Sequence, residues 1–351
     1  MDFISLFPGG SIKNFIIYVL ITWLIFSFIL TIYLIVRMYI IEHKANDIKY
    51  GRQRILFLRK AGKFKQMPIY SMEEMHRNKK LEDVRLSVFP NYTGMRDRFV
   101  LILPGGGYAH CCTKQEGYPT AAYFNELGYT AFVLEYRTGF KCSPYGPMED
   151  VAKALQFIEE HQLEFNVFMD DYALVGFSAG GNLASIFASE THEHGYKALG
   201  SKRPGAVILG YPWTNVSHWA QHPYWNIWIG LLGIWLSERG FFYMFGLKHT
   251  TNKRRSLCVQ YYISENYPPT FLMSGGIDML VPASRHADIL KAALDEKGIK
   301  NEYKMFFRLP HGIGIGRNTP AQNWLTEATS FWLGAIIDNK EKHRQQFSVI
   351  D

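Results

Sequence analysis

Cysteine is scarce in this 351-residue chain and occurs in no pattern that would build a site. Its four cysteines form no CxxC pair and have no spacing typical of metal ligands; they are Cys111, Cys112, Cys142 and Cys258. We therefore expect free thiols or small buried hydrophobic residues, and no oxidising compartment is required. Internal repeats and low-complexity segments are also lacking, so the length predicts one large globular domain plus a segment of another kind.

Most of the chain lacks a net charge. Residues 66–351 carry 28 basic and 28 acidic residues, whereas residues 37–65 carry nine Lys or Arg against two acidic residues. The net charge of +7 therefore belongs to one short segment. A nucleic-acid-binding domain would carry its positive charge on the fold itself, so no nucleic-acid partner is predicted.

Charge is absent altogether from residues 14–36, which are mostly Ile, Leu, Phe, Val, Tyr and Trp. A helix of this length spans about 34 Å, enough for the hydrocarbon core of a bilayer. We predict a transmembrane helix over 14–36, preceded by an N-terminal tail over 1–13. A cleavable signal peptide is disfavoured because its apolar core would be shorter and residues 37–40 offer no small-residue cleavage site. A buried core helix would rarely be apolar on every face.

The basic segment follows this helix and predicts its orientation. Asp2 and Lys13 precede the span, and the excess of positive charge follows it. The positive-inside rule therefore favours a cytoplasmic location for the C-terminal side. We predict a basic juxtamembrane linker over 37–80, in which residues 48–66 either are solvated or lie along an anionic leaflet.

From about Leu81, apolar runs typical of strands alternate with helical patterns. The predicted strands cover 84–89, 99–103, 129–136, 172–177, 205–210, 270–273 and 302–308, and the predicted helices cover 116–127, 148–160 and 282–297. This alternation indicates an α/β fold over 81–351, with a doubly wound, mostly parallel sheet and flanking helices. The aromatic-rich stretch at about 214–266 breaks the pattern, and we expect it to form a cap that lines a substrate pocket. An interfacial membrane contact is the alternative for this stretch.

A Gly-x-Ser-x-Gly sequence at 176–180 stands between a predicted strand and the helix-forming run 182–188. This context suits a nucleophile elbow, in which the serine lies on a sharp strand-to-helix turn with its hydroxyl exposed. The turn crowds the backbone, so Gly176 and Gly180 must lack a side chain. Ser178 is therefore the candidate nucleophile, and a chance match in a Gly/Ser turn is the alternative.

A serine nucleophile needs a base and an acid that orients the base. Among twelve histidines, His311 follows a predicted strand in a glycine-rich loop, and such a loop can bring an imidazole to the carboxyl ends of the strands. His110 is the second candidate, and His286, inside a predicted helix, is expected at the surface. Asp278 follows an apolar strand and comes between nucleophile and histidine, the order expected for such a triad. Its alternative role is to serve the turn or the start of the next helix.

Three consecutive glycines, Gly105, Gly106 and Gly107, follow another predicted strand. Backbone amides at such positions can approach a carbonyl oxygen because no side chain blocks them. Together with the amide of Ala179, just after the nucleophile, they would form an oxyanion hole. No metal and no organic cofactor is implied by this chemistry.

Taken together, these residues resemble the α/β-hydrolase fold, and within it the esterase branch of hormone-sensitive-lipase-like carboxylesterases and acetyl-xylan or feruloyl esterase-like enzymes. The resemblance covers about 81–334, and its motifs are Pro-Gly-Gly-Gly-Tyr at 104–108, Glu-Tyr-Arg at 135–137, Gly-Phe-Ser-Ala-Gly-Gly at 176–181, Asp278 and His311. Pro104 replaces the histidine that opens the HGGG form, which is closer to the sugar-ester branch. The resemblance implies Ser178, Asp278 and His311 as a triad and short acyl esters, often acetylated sugars, as substrates.

The expected function is that of a membrane-anchored serine hydrolase, a carboxylesterase or deacetylase that works through an acyl-enzyme. Its expected partners are a small-molecule or carbohydrate ester and the membrane that holds the N-terminal helix. A membrane helix is not typical of this branch, so a membrane-linked or cell-envelope substrate is an alternative. Two further alternatives are an amidase or peptidase of the same fold and a catalytically inactive hydrolase-like binding protein.

Overall fold

The computed structural model describes residues 12–45, 47–92, 97–217, 226–246 and 250–348. Its strands are β1 (Lys65–Pro68), β2 (Arg85–Phe89), β3 (Phe99–Leu103), β4 (Thr130–Glu135), β5 (Ala173–Phe177), β6 (Ala206–Gly210), β7 (Thr270–Gly275) and β8 (Asn301–Phe306). They form one sheet in the order β1-β2-β4-β3-β5-β6-β7-β8. The β1–β2 and β2–β4 pairs are antiparallel and the remaining pairs are parallel, which confirms the predicted mostly parallel sheet.

Helices cover both faces of this sheet. The helices of the described chain are α1 (Ile12–Ala45), α2 (Asp47–Lys60), α3 (Met72–Arg77), α4 (Tyr118–Glu126), α5 (Gly146–Glu160), α6 (Ser178–Phe187), α7 (Ile227–Phe245), α8 (Thr251–Ser256), α9 (Ala287–Glu296) and α10 (Trp324–Ser348). Alternate residues of β3 enter two separate apolar clusters, one with α5, α6 and α9 and the other with α2, α4 and α10. Strands buried on both faces read as continuous apolar runs, which is why the sequence marks them clearly.

The predicted elements differ from the structure mainly at helices. The predicted helix over 282–297 begins as a 3₁₀ turn, Ala283–Arg285, and α9 starts only at Ala287. No element is predicted over 324–348, where α10 lies. Residues 1–11 of the predicted tail, and 218–225 and 247–249 of the predicted cap, lie outside the described residues.

The segment expected to be a juxtamembrane linker is instead folded onto the domain from residue 47 onward. Helix α2 buries Ile55 and Leu58 in the core while most of its basic residues are exposed, and β1 adds a strand to the edge of the sheet. Asp47, at the start of α2, accepts hydrogen bonds from the amides of Ile315 and Gly316. The sequence of this segment is mainly basic, so its few apolar positions do not stand out. They are nevertheless sufficient, because a helix needs only one narrow apolar stripe to pack against a core.

Helix α1 is long and apolar enough to cross a membrane over Ile12–Ile41, as judged from its length and composition. Its side chains are largely exposed, in contrast to a core helix of a globular domain. Helix α1 contacts α7 of the predicted cap. Asn226, the residue before α7, forms hydrogen bonds with residues of α1.

Candidate active site

Ser178 stands at the junction of β5 and α6 with a positive φ of 49°. This left-handed backbone is unusual for a residue with a side chain and is typical of strained functional turns. The flanking glycines make the turn possible. A Cβ atom at Gly176 would lie 2.4 Å from the carbonyl oxygen of Gly180, and one at Gly180 would lie 2.1 Å from that of Leu103.

Three side chains from different strand ends meet at this turn. Ser178 Oγ lies 2.9 Å from His311 Nε2, and His311 Nδ1 lies 2.6 Å from Asp278 Oδ2. Asp278 follows β7 and His311 follows β8, so both loops leave the same edge of the sheet as the serine turn. The other carboxylate oxygen of Asp278 accepts the amides of Leu280 and Val281, at 3.0 and 2.8 Å. Asp278 thus stabilises its own turn with one carboxylate oxygen and contacts the imidazole with the other.

The electrostatics of the histidine favour its charged form. Burial lowers the pKa of His311, but the carboxylate of Asp278, with a further contribution from Glu116, outweighs burial and raises this pKa above its ordinary value. A base of this kind accepts a proton readily and is held in one orientation by its partner. Chemically, the arrangement can remove a proton from the Ser178 hydroxyl and stabilise the imidazolium that results.

Two of the three candidate loop glycines, together with Ala179, have amides suited to an oxyanion. Gly106 and Gly107 line a cavity with Ser178, and no hydrogen-bond partner of their amides is found in the part of the chain that the structure describes. The amide of Ala179 belongs to the first turn of α6, where helix N–H groups have no partner within the helix. Gly105 differs from the expectation, because its amide donates to Glu116 Oε2 at 2.6 Å. Its role is close packing instead, since a Cβ there would lie 2.8 Å from Ser178 Cβ.

A buried polar network lies behind the site, and the sequence does not predict it. Glu116, only 4% exposed, accepts a hydrogen bond from the Tyr211 hydroxyl at 2.9 Å. The same hydroxyl accepts the amide of Gly314, and the Tyr211 ring packs edge-on against His311 with centroids 4.8 Å apart. Burial and the Glu116 carboxylate raise the pKa of Tyr211 well above its ordinary value, so its hydroxyl stays protonated. No local motif surrounds Glu116 or Tyr211 that could have marked them.

The two other candidate histidines occupy different places. His110 lines the cavity, and its Nε2 lies 3.5 Å from the sulfur of Cys112. His286 was expected at the surface of a helix, and this expectation is wrong because the side chain is fully buried. It stands between the 3₁₀ turn and α9, where its Nδ1 accepts the amide of Asn215 at 3.1 Å. Neither histidine lies within a hydrogen bond of Ser178 among the contacts described.

The cavity above Ser178 has a volume of about 260 Å³. Its walls include Trp213 and, from α7 of the predicted cap, Leu236, Ser237 and Arg239. Residues of the segment predicted to be a cap therefore border the cavity. Across the described ranges, no group of three or more His, Cys, Asp or Glu side chains is arranged to hold a metal ion.

Comparisons with curated proteins match most of this chain. The model of the BD-FAE family matches residues 88–294, a range that contains Ser178 and Asp278 and ends before His311. Endo-1,4-beta-xylanase B of Butyrivibrio fibrisolvens is 28% identical over 257 residues, and the acetylxylan esterase of Xylanibacter ruminicola is 28% identical over 252 residues. These matches cover 71% and 70% of this chain but 36% and 47% of those proteins. The chain therefore spans less than half the length of either relative.

Solved structures share the fold. An acetyl ester-xyloside bifunctional hydrolase from Caldicellulosiruptor lactoaceticus aligns with a TM-score of 0.63 at 22% identity, covering 78% of this chain and 96% of its own. A thermophilic esterase from Thermogutta terrifontis aligns with a TM-score of 0.59 at 20% identity, covering 77% and 92%. An α/β-hydrolase enzyme from a deep-sea metagenome aligns with a TM-score of 0.54 at 22% identity, covering 78% and 97%. At these identities the likeness establishes the α/β-hydrolase fold.

Proposed function

The chain belongs to the BD-FAE family and has the α/β-hydrolase fold, and on this premise we propose that it is a serine carboxylesterase that removes short acyl groups. One observation carries the proposal, which is the continuous chain of hydrogen bonds from Ser178 through His311 to Asp278. The strained backbone of Ser178 supports it further, because strain of this kind concentrates at functional turns.

In the proposed mechanism, Ser178 Oγ attacks the acyl carbon while His311 Nε2 accepts its proton. Asp278 holds the Nδ1–H tautomer of the imidazole and stabilises the imidazolium. The amides of Gly106, Gly107 and Ala179 donate to the oxyanion of the tetrahedral intermediate. His311 then protonates the leaving alcohol, and a water molecule, deprotonated by the same histidine, releases the acid from the acyl-enzyme.

The proposed substrate is a short acyl ester, and the leading candidate is an acetylated carbohydrate, in which the sugar is the alcohol portion. The cavity of about 260 Å³ suits a small acyl group. Two relatives are named as an acetylxylan esterase and an acetyl ester-xyloside hydrolase, which favours acetyl and sugar. A serine, histidine and aspartate at these distances can also hydrolyse amide bonds, so an amidase is the second candidate.

We further propose that α1 anchors the enzyme in a membrane with the hydrolase domain on the cytoplasmic side. The exposed apolar surface of α1 supports anchoring, and the excess of basic residues that follows it supports the orientation. Treating sealed vesicles with a protease tests the orientation. The domain should be digested in inside-out vesicles and protected in right-side-out ones.

The activity is tested with the full chain in detergent and an active-site-directed fluorophosphonate. The wild-type chain should be labelled and should hydrolyse p-nitrophenyl acetate, and Ser178→Ala should lose both properties. Ser185→Ala is a matched control because Ser185 lies on the same helix, with its hydroxyl on the carbonyl of Gly181. A preference for peptide or arylformamide substrates would support the amidase instead. Absence of labelling in the wild-type chain would indicate an inactive, hydrolase-like binding protein.

A further inference from the structure

The N-terminal half of α7 presents an exposed apolar face. Its five members recur at helical spacing and are between 37% and 55% exposed: Ile227, Trp228, Leu231, Ile234 and Trp235. The opposite side of the same helix is buried, with Ile229, Gly233 and Ser237 among its residues. A helix in water usually pairs one apolar stripe with a charged face, whereas this segment has no charge before Glu238.

This face is continuous with the proposed membrane helix. The indole Nε1 of Trp228 donates to the carbonyl oxygen of Leu24 at 3.1 Å, and its ring packs edge-on against Phe28 with centroids 5.4 Å apart. Both α1 residues lie near the middle of the uncharged run 14–36. The start of α7 is therefore held at the level of the centre of the proposed span, far from its ends.

The polar groups at the start of α7 form hydrogen bonds within the protein, as a helix end in hydrocarbon requires. Asn226 is fully buried, and its Oδ1 accepts the amides of Trp228 and Ile229. Its amide nitrogen donates to the carbonyl oxygen of Ser27 and to Thr31 Oγ1, both at 3.2 Å. Backbone groups that cannot reach water must be satisfied within the protein, and small polar residues join helices inside membranes in this way. The Asn226 side chain therefore caps α7 and joins it to α1.

The uncharged segments of α1 and α7 that follow this contact have similar lengths. From Leu24 to Arg37 α1 rises about 20 Å, and from Asn226 to Glu238 α7 rises about 18 Å. The first charged turn of α7 also reaches the active site, since Arg239 lines the cavity with its guanidinium 4.5 Å from the Trp235 ring centroid. Leu236 and Ser237 line the same cavity. The apolar face therefore ends where the cavity begins.

We propose that the apolar face of α7 lies in the lipid bilayer beside α1, and that the substrate is a membrane lipid whose headgroup carries a short acyl ester. The proposal rests on the esterase function and the anchoring proposed above. The acyl group enters the cavity while the hydrocarbon part of the lipid stays in the membrane. Hydrolysis consumes one water, transfers the acyl group from the lipid oxygen to Ser178 and then to water, and leaves the lipid alcohol in the bilayer.

Lipid contact is tested without reference to catalysis. A benzophenone amino acid is introduced at Leu231, or at Leu163 as a control of comparable chemistry whose side chain is 80% exposed. The full chain is placed in phosphatidylcholine vesicles, illuminated and analysed by mass spectrometry. A phospholipid adduct at position 231 and none at position 163 is the expected result. Cross-linking of position 231 to a second copy of the chain, or no lipid adduct there, would overturn the proposal.

Substrate delivery is tested with two acetylated sugars, a hexadecyl glucoside held in the vesicles and the soluble methyl glucoside. Wild-type chain should release acetate from the hexadecyl compound about tenfold faster, because the membrane concentrates that substrate at the cavity. Leu231→Glu/Ile234→Glu should remove this preference and keep p-nitrophenyl acetate hydrolysis. Leu127→Glu/Leu163→Glu, which adds the same charge at exposed leucines elsewhere, should keep both.

The outcomes separate the two proposals. If the wild-type chain hydrolyses p-nitrophenyl acetate but shows no preference for the hexadecyl compound, or if the α7 variant keeps that preference, the lipid substrate is refuted and the esterase remains. If the wild-type chain neither hydrolyses the acetate nor reacts with the fluorophosphonate, the esterase is refuted. The cross-linking result then still decides whether α7 contacts lipid.

Discussion

The backbone amide of Gly105 donates a 2.6 Å hydrogen bond to Glu116 Oε2, so a buried carboxylate is held next to the glycines that face Ser178. The same carboxylate accepts the Tyr211 hydroxyl, and Tyr211 packs on His311. Glu116 therefore combines two effects on the site. It fixes the glycine loop, and its negative charge contributes to the raised pKa of His311.

Glu116→Gln should separate these effects. The amide oxygen can still accept the Gly105 amide, but the negative charge is lost, so the pKa of His311 should fall. A base must be unprotonated, so the acid limb of the kcat/KM profile for p-nitrophenyl acetate should move to lower pH. The profile is measured between about pH 5 and 9. An unmoved acid limb would show that Glu116 acts on structure alone, and Tyr211→Phe, which keeps the carboxylate, is the control.

Asp278→Asn should lower kcat for p-nitrophenyl acetate about ten-thousand-fold, because an asparagine cannot hold the histidine tautomer or stabilise its charge. The asparagine oxygen can still accept the amides of Leu280 and Val281, so stability should change little. Asp278→Ala removes that acceptor as well and should cost a further 1–3 kcal/mol or so of unfolding free energy. Equal losses of stability in the two variants, or an asparagine variant with near wild-type kcat, would contradict the assigned role.

Gly106→Ala should lower kcat by about a hundredfold or more, as expected when an oxyanion donor is displaced. Gly106 has φ of 120°, and a Cβ there would lie 2.1 Å from the carbonyl oxygen of His110, so the loop must shift. Gly298→Ala is the matched control, because φ is also positive there but the Cβ would meet open space. The control should lose some stability and keep its kcat. Similar kinetic losses in both variants would point to a general effect of strain.

The sequence predicts what is encoded locally. The turn at Ser178 was identified because Gly176 and Gly180 occupy fixed positions around it, and β3, β5 and β6 because strands buried on both faces are apolar throughout. Contacts between distant residues leave no such pattern. Asp47 binds the loop after His311 from 268 residues away, and nothing near either segment marks the pairing. The burial of His286 has the same origin, since its neighbours, Thr214 and Asn215, come from the segment that follows β6.

The long-range contact of Asp47 gives a prediction about pH. Burial raises the pKa of Asp47 to about 7, although the amides of Gly316 and Ile315 and the charge of Arg317 oppose this effect. An aspartate whose pKa is higher in the folded state than in the unfolded state contributes stability at low pH, and that contribution is lost as pH rises through the folded pKa. Wild-type stability should therefore fall between about pH 4 and pH 7 through this group, by up to about 4 kcal/mol.

Asp47→Asn removes the titration while its amide oxygen can still accept both backbone amides. The variant should thus gain stability over the wild-type chain as pH rises from about 4 to 8, because only the wild-type chain must bury a charge at the higher pH. Denaturant unfolding of the full chain in detergent, followed by tryptophan fluorescence at several pH values, measures the difference. Asp170→Asn, at a side chain that is 84% exposed, is the control for loss of a carboxylate. A difference between Asp47→Asn and the wild-type chain that stays constant with pH would show that Asp47 remains charged in the fold and that its hydrogen bonds to the His311 loop outweigh burial.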